Sequence, residues 1–305
     1  MALLTSAPAF LPRAAAAQTS ATVRVGASAT DLYLEPFIAL DAGFFSRAGV
    51  NAQITPLANG AAIAQAVAGG SLDTGLADMI QIANAANHGL PFAFFAGSGL
   101  YSSQAPILAM CVAKNGPVKA IKDLDGQTIA LVVLKSITEA AVEEWLRLNG
   151  VDLTRVKLYE LPYVEMLPAL QRGTVGAALI GEPFLSAAKN DVTILGKSYD
   201  AVAPSFYISS WFASRDWIAR NPDLSRRFTH AIYETARWAN AHRPDTALIL
   251  AKYAKLDIER IRSMNRTTYA TSLDPRLMQP VLDIAVKYKL IEKPVAAADL
   301  IVKVA

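Results

Sequence analysis

Apolar positions along the chain alternate between two spacings, which predicts strands and helices in turn. Short runs such as TVRVGA, beginning at Thr22, have the alternation of a strand. Longer stretches such as LEPFIALDAGFFSRAG, beginning at Leu34, have the spacing of a helix and stop at glycine. Strands separated by helices indicate mostly parallel sheets, because a parallel strand pair requires a crossover connection.

One stretch of this pattern occurs twice. AQAVAGGSLDTGLADM, around Gly70, matches LPALQRGTVGAALIGEP, around Gly173, at a distance of 103 residues. In both, a helix ends at glycine, a short strand follows, and another helix begins directly after it. The carboxyl edge of such a strand is where open α/β sheets bind ligands. The repeat therefore predicts two similar lobes whose ligand-binding edges face each other across a cleft.

The order of the predicted elements suggests how the lobes are connected. The chain is expected to cross between them near residues 99–107 and 200–212. Lobe I then consists of residues 22–100 and 212–305, and lobe II of residues 101–211. From Asn221 onward only helices are predicted. The predicted fold class is α/β, with a mostly parallel sheet flanked by helices in each lobe.

The first 21 residues do not fit this pattern. ALLTSAPAFL is apolar and of signal-peptide length, and Ala15 and Ala17 form a small-x-small cleavage pattern. We interpret residues 1–21 as a signal peptide or its remnant, the alternative being a disordered tail. The only cysteine, Cys111, lies within an apolar run, so no lipid-anchor site follows the predicted cleavage point. The expected location is periplasmic, without a lipid anchor.

Composition narrows the functional classes. Of the 305 residues 53% are hydrophobic and 18% charged, as expected for a folded protein, and no apolar run reaches membrane-spanning length. The net charge of +3 is spread along the chain, so a nucleic-acid partner is not expected.

Motifs of catalysis are also missing from the sequence. His88, His230 and His242 form no metal-binding pair, and the chain has no P-loop, no dinucleotide fingerprint and no nucleophile elbow. We expect no enzymatic activity, no cofactor and no metal.

The order of several motifs resembles a known family. The segment from GASATDLY to GLAD, the segment IKDLDGQTIAL, and the segment ALQRGTVGAALIGEPFLSAA are similar to the solute-binding proteins for nitrate, taurine and aliphatic sulfonates. That family also includes binders of thiamine-pyrimidine precursors. The resemblance runs from about Val23 to Pro244. One departure is Gly176, where the family usually has an aspartate, and it puts the rigidity of that turn in doubt.

The resemblance implies a type II periplasmic-binding fold and a role in transport. The protein would capture a small ligand between its lobes and deliver it, unchanged, to an ABC permease in the inner membrane. It is expected to be a monomer. Two alternatives share the fold: an enzyme like thiamine-pyrimidine synthases, and a ligand-sensing domain. The single cysteine argues against the enzyme, which is expected to carry a cysteine-rich iron motif.

Candidate ligand contacts lie in the loops after the predicted strands. They are Ser28, Thr30, Asp31, Tyr33, Asn59, Gly60, Asp78, Ser98, Lys135, Ser136, Thr138, Glu182 and Tyr207. Several have a structural alternative. Ser136 and Asp78 are also expected as helix N-caps, Glu182 as a helix-dipole partner, and the two tyrosines as packing residues.

The charge of the ligand stays open at this level. The resemblance includes binders of sulfonates and nitrate-like anions, which need donors and often a cation. Among the candidate residues only Lys135 is a cation, against the carboxylates of Asp31, Asp78 and Glu182. This balance favours a neutral, amine-bearing or heteroaromatic (pyrimidine-like) ligand, with tyrosines supplying flat surface.

Overall fold

The computed structural model describes residues 22–304. Its strands are Thr22–Ala27 (β1), Asn51–Pro56 (β2), Thr74–Ala77 (β3), Phe92–Gly97 (β4), Gly99–Ser102 (β5), Leu108–Ala113 (β6), Thr128–Leu131 (β7), Lys157–Glu160 (β8), Ala177–Gly181 (β9), Val192–Gly196 (β10), Ser205–Tyr207 (β11), Ser210–Ser214 (β12) and Thr268–Tyr269 (β13). Its α-helices are Glu35–Asp41 (α1), Phe44–Arg47 (α2), Gly60–Ala68 (α3), Met79–Asn87 (α4), Ile137–Leu148 (α5), Tyr163–Arg172 (α6), Phe184–Ala188 (α7), Arg215–Arg220 (α8), Pro222–Ala241 (α9), Arg243–Ala254 (α10), Ile258–Ser263 (α11) and Gln279–Lys287 (α12). No helix within residues 22–304 is both long and apolar enough to cross a membrane.

Two five-stranded sheets with the same layout form the two lobes. The first has the order β2-β1-β3-β12-β4, and the second, written from its other edge, has the order β8-β7-β9-β6-β10. In each sheet four strands run parallel and the fourth in the order, β12 or β6, runs antiparallel to its neighbours. This confirms the predicted α/β fold of two lobes with mostly parallel sheets.

The antiparallel strand of each sheet directly follows a segment that connects the sheets. β5 leads from the first sheet to β6, and β11 leads from the second sheet to β12. These two connecting strands pair antiparallel, with Phe206 opposite Tyr101, and β13 pairs with β5 on the other side. The lobes are thus joined by a small three-stranded sheet. The domain boundaries drawn from the sequence remain a prediction.

The sequence repeat corresponds to equivalent parts of the two sheets. β3 and β9 are the central strands of their sheets and begin 103 residues apart, as do α3 and α6. The turn before β3 is closed by Asp73, whose carboxylate accepts a hydrogen bond from the Arg24 backbone N–H at 2.8 Å. At the equivalent position before β9, Gly176 provides no such acceptor, and the Gln127 side chain lies 2.4 Å from where its Cβ would be.

Two predictions about secondary structure need correction. The helix expected from Leu34 to Gly49 is two helices, because Gly43 has a left-handed backbone with φ of 77° and ends the first of them. The expectation of helices alone after Asn221 was wrong, since β13 extends the connecting sheet and Ile301 forms a bridge with Phe94. The interpretation of residues 1–21 lies outside the described residues.

The C-terminal helices pack against elements from earlier in the chain. Phe228 of α9 stacks on Phe45 with ring centroids 5.2 Å apart and meets Trp211 edge-on at 5.0 Å. α12 packs against α4 of lobe I and also against α5 of lobe II. Helix α9 therefore packs against both α2, near the beginning of the chain, and β12.

Candidate functional site

A cavity that the loops create lies between the lobes. It contains about 840 Å³ of space not filled by atoms, part of which is open to solvent. Lobe I contributes the segments after β1, β2 and β3, and lobe II those after β7, β8 and β9. All six are carboxyl ends of parallel strands, where α/β sheets bind ligands. The lining residues are Ser28, Thr30, Asp31, Leu32, Tyr33, Ala58, Asn59, Gly60, Asp78, Gln81, Ile107, Leu108, Val132, Val133, Ile137, Thr138, Tyr163, Gly181, Glu182, Tyr199, Ile208 and Thr267.

On the lobe I side, two helices begin at this cavity and both are capped by a side chain. The Asn59 side chain accepts a hydrogen bond from the Ala62 N–H at 3.0 Å at the start of α3. Asp78 accepts one from the Gln81 N–H at 2.9 Å at the start of α4, and the Gln81 side chain returns a contact to the Asp78 N–H. This reciprocal pair is a capping box, which confirms the N-cap alternative for Asp78.

On the lobe II side, α5 is capped by a side chain, and the carboxylate of Glu182, just before α7, accepts from the first turn of that helix. Ser136 accepts from the Thr138 N–H at 3.2 Å. The two oxygens of Glu182 accept from Ser186, one from its N–H at 3.0 Å and the other from its hydroxyl at 2.8 Å. The backbone donors at these four helix starts are therefore partly satisfied by the chain's own acceptors, whereas α6, which begins at Tyr163, has no side-chain cap.

Asp31 is buried beside the cavity and has its own cation. It accepts hydrogen bonds from Arg266 Nε at 2.7 Å and from the Thr267 N–H at 2.6 Å. The side chains of Asp31 and Arg266 are 4% and 8% exposed, so this is a buried ion pair. It ties the loop after β1 to the segment before β13. The charge of Asp31 is thus balanced within the protein.

The other two carboxylates of the cavity are not paired in this way. Burial raises the pKa of Asp78 to about 7, although hydrogen bonds from the N–H groups of Gln81, Ile80 and Ile137 act in the opposite direction. Burial also raises the pKa of Glu182, which the donors of Ser186 partly offset. Among the described residues, no lysine, arginine or histidine lines the cavity. The site as a whole is acidic.

Three tyrosines bring aromatic surface to the cavity. Tyr33 comes from lobe I, Tyr163 from lobe II and Tyr199 from the connection back to lobe I. Burial raises the pKa of each phenol, that of Tyr163 to about 12, so all three are neutral at physiological pH. A Cβ at Gly60 would lie 2.8 Å from the Tyr33 hydroxyl, and one at Gly181 would lie 2.8 Å from the Tyr163 hydroxyl. Glycine at these two positions leaves room for the hydroxyls.

Nine of the thirteen residues predicted from the sequence line this cavity. They are Ser28, Thr30, Asp31, Tyr33, Asn59, Gly60, Asp78, Thr138 and Glu182. Their contact with a ligand remains a prediction.

The remaining four lie elsewhere. Ser98 is buried and donates to a carboxylate oxygen of Glu35 at 2.7 Å, behind the cavity wall. Tyr207 donates to the Ser272 carbonyl at 2.8 Å, which holds the tyrosine against the connecting sheet.

Lys135 and Ser136 are displaced by the start of α5. The backbone of Lys135 is left-handed, with φ of 51°, and its side chain borders a separate hollow beside α3 and α4. Ser136 is fully buried and donates to the Val133 carbonyl at 3.0 Å as well as capping the helix. Glu139, three residues after Ser136, accepts from the Lys135 N–H. The cation expected in the cleft is therefore not part of the cavity lining.

Sequence reasoning missed several lining residues. Tyr163 was not among the predicted site residues, although it lies 103 residues after Gly60 and so at the equivalent start of α6. The repeat was the signal that could have found it. Thr267 comes from the C-terminal segment, for which no strand was predicted, and Gln81 was hidden within the first turn of α4.

The cysteine and the histidines of the described residues do not line the cavity. Cys111 is buried within β6, and burial raises the pKa of its thiol to about 12. The three histidines lie outside the cavity lining, two of them against helix carbonyls at 2.8 Å. Among residues 22–304 no three histidine, cysteine or carboxylate side chains are grouped so that they could hold a metal ion.

Comparison with known proteins assigns the family. A family model described as "NMT1/THI5 like" matches residues 34–247, more than half of the chain. The chain belongs to the NMT1/THI5-like family. It is also 24% identical, over 195 residues, to the taurine-binding periplasmic protein of Escherichia coli K12. That alignment spans 62% of this chain and 57% of the length of the relative.

Two solved structures share the fold of this family member. The periplasmic aliphatic sulphonate binding protein SsuA of Escherichia coli has a TM-score of 0.74 and 20% identity, over 93% of this chain and 92% of that one. The alkanesulfonate-binding protein SsuA of Xanthomonas axonopodis pv. citri, bound to MOPS, has a TM-score of 0.75 and 16% identity, over 94% and 100% of the two chains. Both likenesses extend over nearly the whole described chain, and they confirm the two-lobe periplasmic-binding fold.

Proposed function

We propose that this protein is the solute-binding component of an ABC importer, which captures a small organic ligand between its lobes. The observation that carries the proposal is the cavity itself. Its walls come from the carboxyl ends of three strands in each lobe, so a ligand there would contact both lobes at once. Only the closed arrangement offers all of these contacts, and ligand binding would therefore favour closure.

Closure requires a connection that can bend between the two lobes. β5 and β11 are three to four residues long and are the segments through which the chain passes between the sheets. We propose that lobe I (residues 22–100 and 212–305) and lobe II (residues 101–211) move as bodies about this short ribbon.

The ligand would leave the protein chemically unchanged. The polar groups of the lining are hydroxyls, amides and carboxylates, and the lining contains no histidine or cysteine among the described residues. A hydroxyl without an adjacent base is a weak nucleophile. The named relatives above are binding proteins, which supports the same reading.

The proposed setting follows from those relatives. A periplasmic location, export by an N-terminal signal, and a membrane permease as the partner are what taurine- and sulfonate-binding proteins of this kind suggest for the present chain. A monomer is sufficient, because one chain supplies both walls of the cavity.

Native mass spectrometry of the purified protein tests this function. A protein that binds tightly carries its ligand through purification, so we expect a small-molecule adduct that is lost on denaturation. Ala58→Trp fills the mouth of the cavity from an exposed position and should abolish the adduct, whereas Ala298→Trp, at an exposed site outside the lining, should keep it. If no metabolite in a cell extract binds, or if both variants bind equally well, the proposal is wrong.

A further inference from the structure

The cavity contains two carboxylates that no cation of the protein pairs. Asp31, Asp78 and Glu182 all line it. Asp31 has Arg266 at 2.7 Å, but neither of the other two has a salt-bridge partner among the described residues. A carboxylate withdrawn from water is normally paired or neutralised, because desolvation is costly. The raised pKa of Asp78, about 7, lets it hold a proton when no ligand is bound, and a positive group brought by a ligand would favour its charged form.

Two of the helix starts at the cavity are already occupied by carboxylates. An anion at a helix N-terminus needs free N–H groups and the positive end of the helix dipole. At α4 and α7 that position is taken by the carboxylates of Asp78 and Glu182, which accept from Gln81 and Ser186. A sulfonate placed there would meet like charge rather than donors.

The aromatic surface is suited to the opposite charge. Tyr33, Tyr163 and Tyr199 come from three different parts of the cavity wall. Tyrosine rings attract cations through their quadrupole, and a carboxylate beside them adds a counter-ion. The negative charge of Asp78 lies near enough to Tyr33 and Tyr199 to raise the pKa of both phenols.

We propose that the cleft selects a ligand carrying a cationic nitrogen group, with Asp78 as its principal counter-ion and tyrosine faces around it. This inference rests on the proposed solute-binding function and adds the charge class of the solute. It separates the present chain from relatives whose names specify sulfonates.

A panel of matched compounds tests the charge class. Each aliphatic or aromatic skeleton is presented as its primary amine, its alcohol and its sulfonate, and binding is measured by thermal shift and then by calorimetry. We expect stabilisation by amines, and their affinity to exceed that of the matched sulfonates at least about ten-fold, as for a charge-assisted interaction. Equal or tighter binding of the sulfonates or the alcohols would overturn the inference while leaving the solute-binding function intact.

Asp78→Asn then tests the counter-ion. Asparagine is as good an N-cap as aspartate, so the helix start is kept while the charge is lost. Affinity for the best amine should fall about ten- to a hundred-fold, and affinity for its alcohol should stay the same. Asp191→Asn makes the same chemical change at an exposed site outside the cavity and should alter neither. An unchanged affinity for the amine in Asp78→Asn would contradict the assignment. If the panel and a cell extract both yield no ligand, the proposed function fails, and the inference fails with it.

Discussion

Removing the charge of Asp31 should destabilise the protein strongly. Asp31→Asn keeps the shape of the side chain, but leaves the guanidinium of Arg266 buried without a counter-ion, since that side chain is 8% exposed. The carboxylate also accepts the Thr267 N–H at 2.6 Å, and an amide can replace only one of the two acceptors. Breaking one side of a buried ion pair typically costs about 3–5 kcal/mol.

The measurement is urea unfolding of the ligand-free protein, followed by circular dichroism and fluorescence. A loss of about 3–5 kcal/mol is expected as a lower midpoint with an unchanged slope. Asp41→Asn is the matched control, because its partner Lys252, at 2.8 Å, is 60% exposed. An exposed pair of this kind contributes about 0–1 kcal/mol.

A double variant separates the stability cost of losing the ion pair from the cost of leaving Arg266 buried without a counter-ion. Arg266→Met in the Asp31→Asn background removes the buried cation and should recover part of the stability. A loss below about 1 kcal/mol in Asp31→Asn, equal to that of the control, would refute the reasoning. It would mean that Arg266 is adequately held by the Thr246 hydroxyl and the Arg243 carbonyl, its other neighbours.

Three further predictions concern the cavity and its surroundings. Glu182→Gln should weaken ligand binding about ten- to a hundred-fold if the carboxylate contacts the ligand, whereas Ser186→Ala should cost only about 0.5–2 kcal/mol of stability as a lost cap partner. If calorimetry shows that Glu182→Gln binds the ligand with unchanged affinity, Glu182 serves the start of α7 and does not contact the ligand. Gly181→Ala should lower affinity, because its Cβ would lie 2.8 Å from the Tyr163 hydroxyl, and adding Tyr163→Phe should restore part of it; no rescue would contradict the contact. Burial raises the pKa of Glu35 from 4.5 to about 8, so its contribution to stability is full below pH 4.5 and is lost as the pH rises through 8. Glu35→Gln should therefore reduce the fall in urea midpoint between about pH 5 and 8. The same fall in midpoint with and without the substitution would contradict this prediction.

The sequence predicted the lobes well because the signal lay in local periodicity. β1, β3 and α4 follow from alternation, from glycine stops and from Asp78 as an N-cap, all of which depend on neighbours in the chain. The 103-residue repeat then paired β3 with β9, which turned out to be the central strands of their sheets.

What was missed depends on contacts between distant residues. Nothing near Arg266 in the chain shows that its partner is Asp31, 235 residues earlier. β13 is only two residues long and forms because β5 offers a free edge. Lys135 was expected in the cleft from its loop, but its left-handed backbone directs it to a different hollow. Side-chain direction at a loop is set by the turn and the packing around it, which periodicity does not encode.

Closure of the cleft on a ligand is the central claim, and small-angle X-ray scattering tests it most directly. The protein is stripped of any carried ligand by reversible denaturation, and scattering is recorded with and without saturating ligand. Because the cavity is lined from both lobes, the account predicts a smaller radius of gyration for the liganded protein. Identical scattering curves for the stripped and the saturated protein would contradict it.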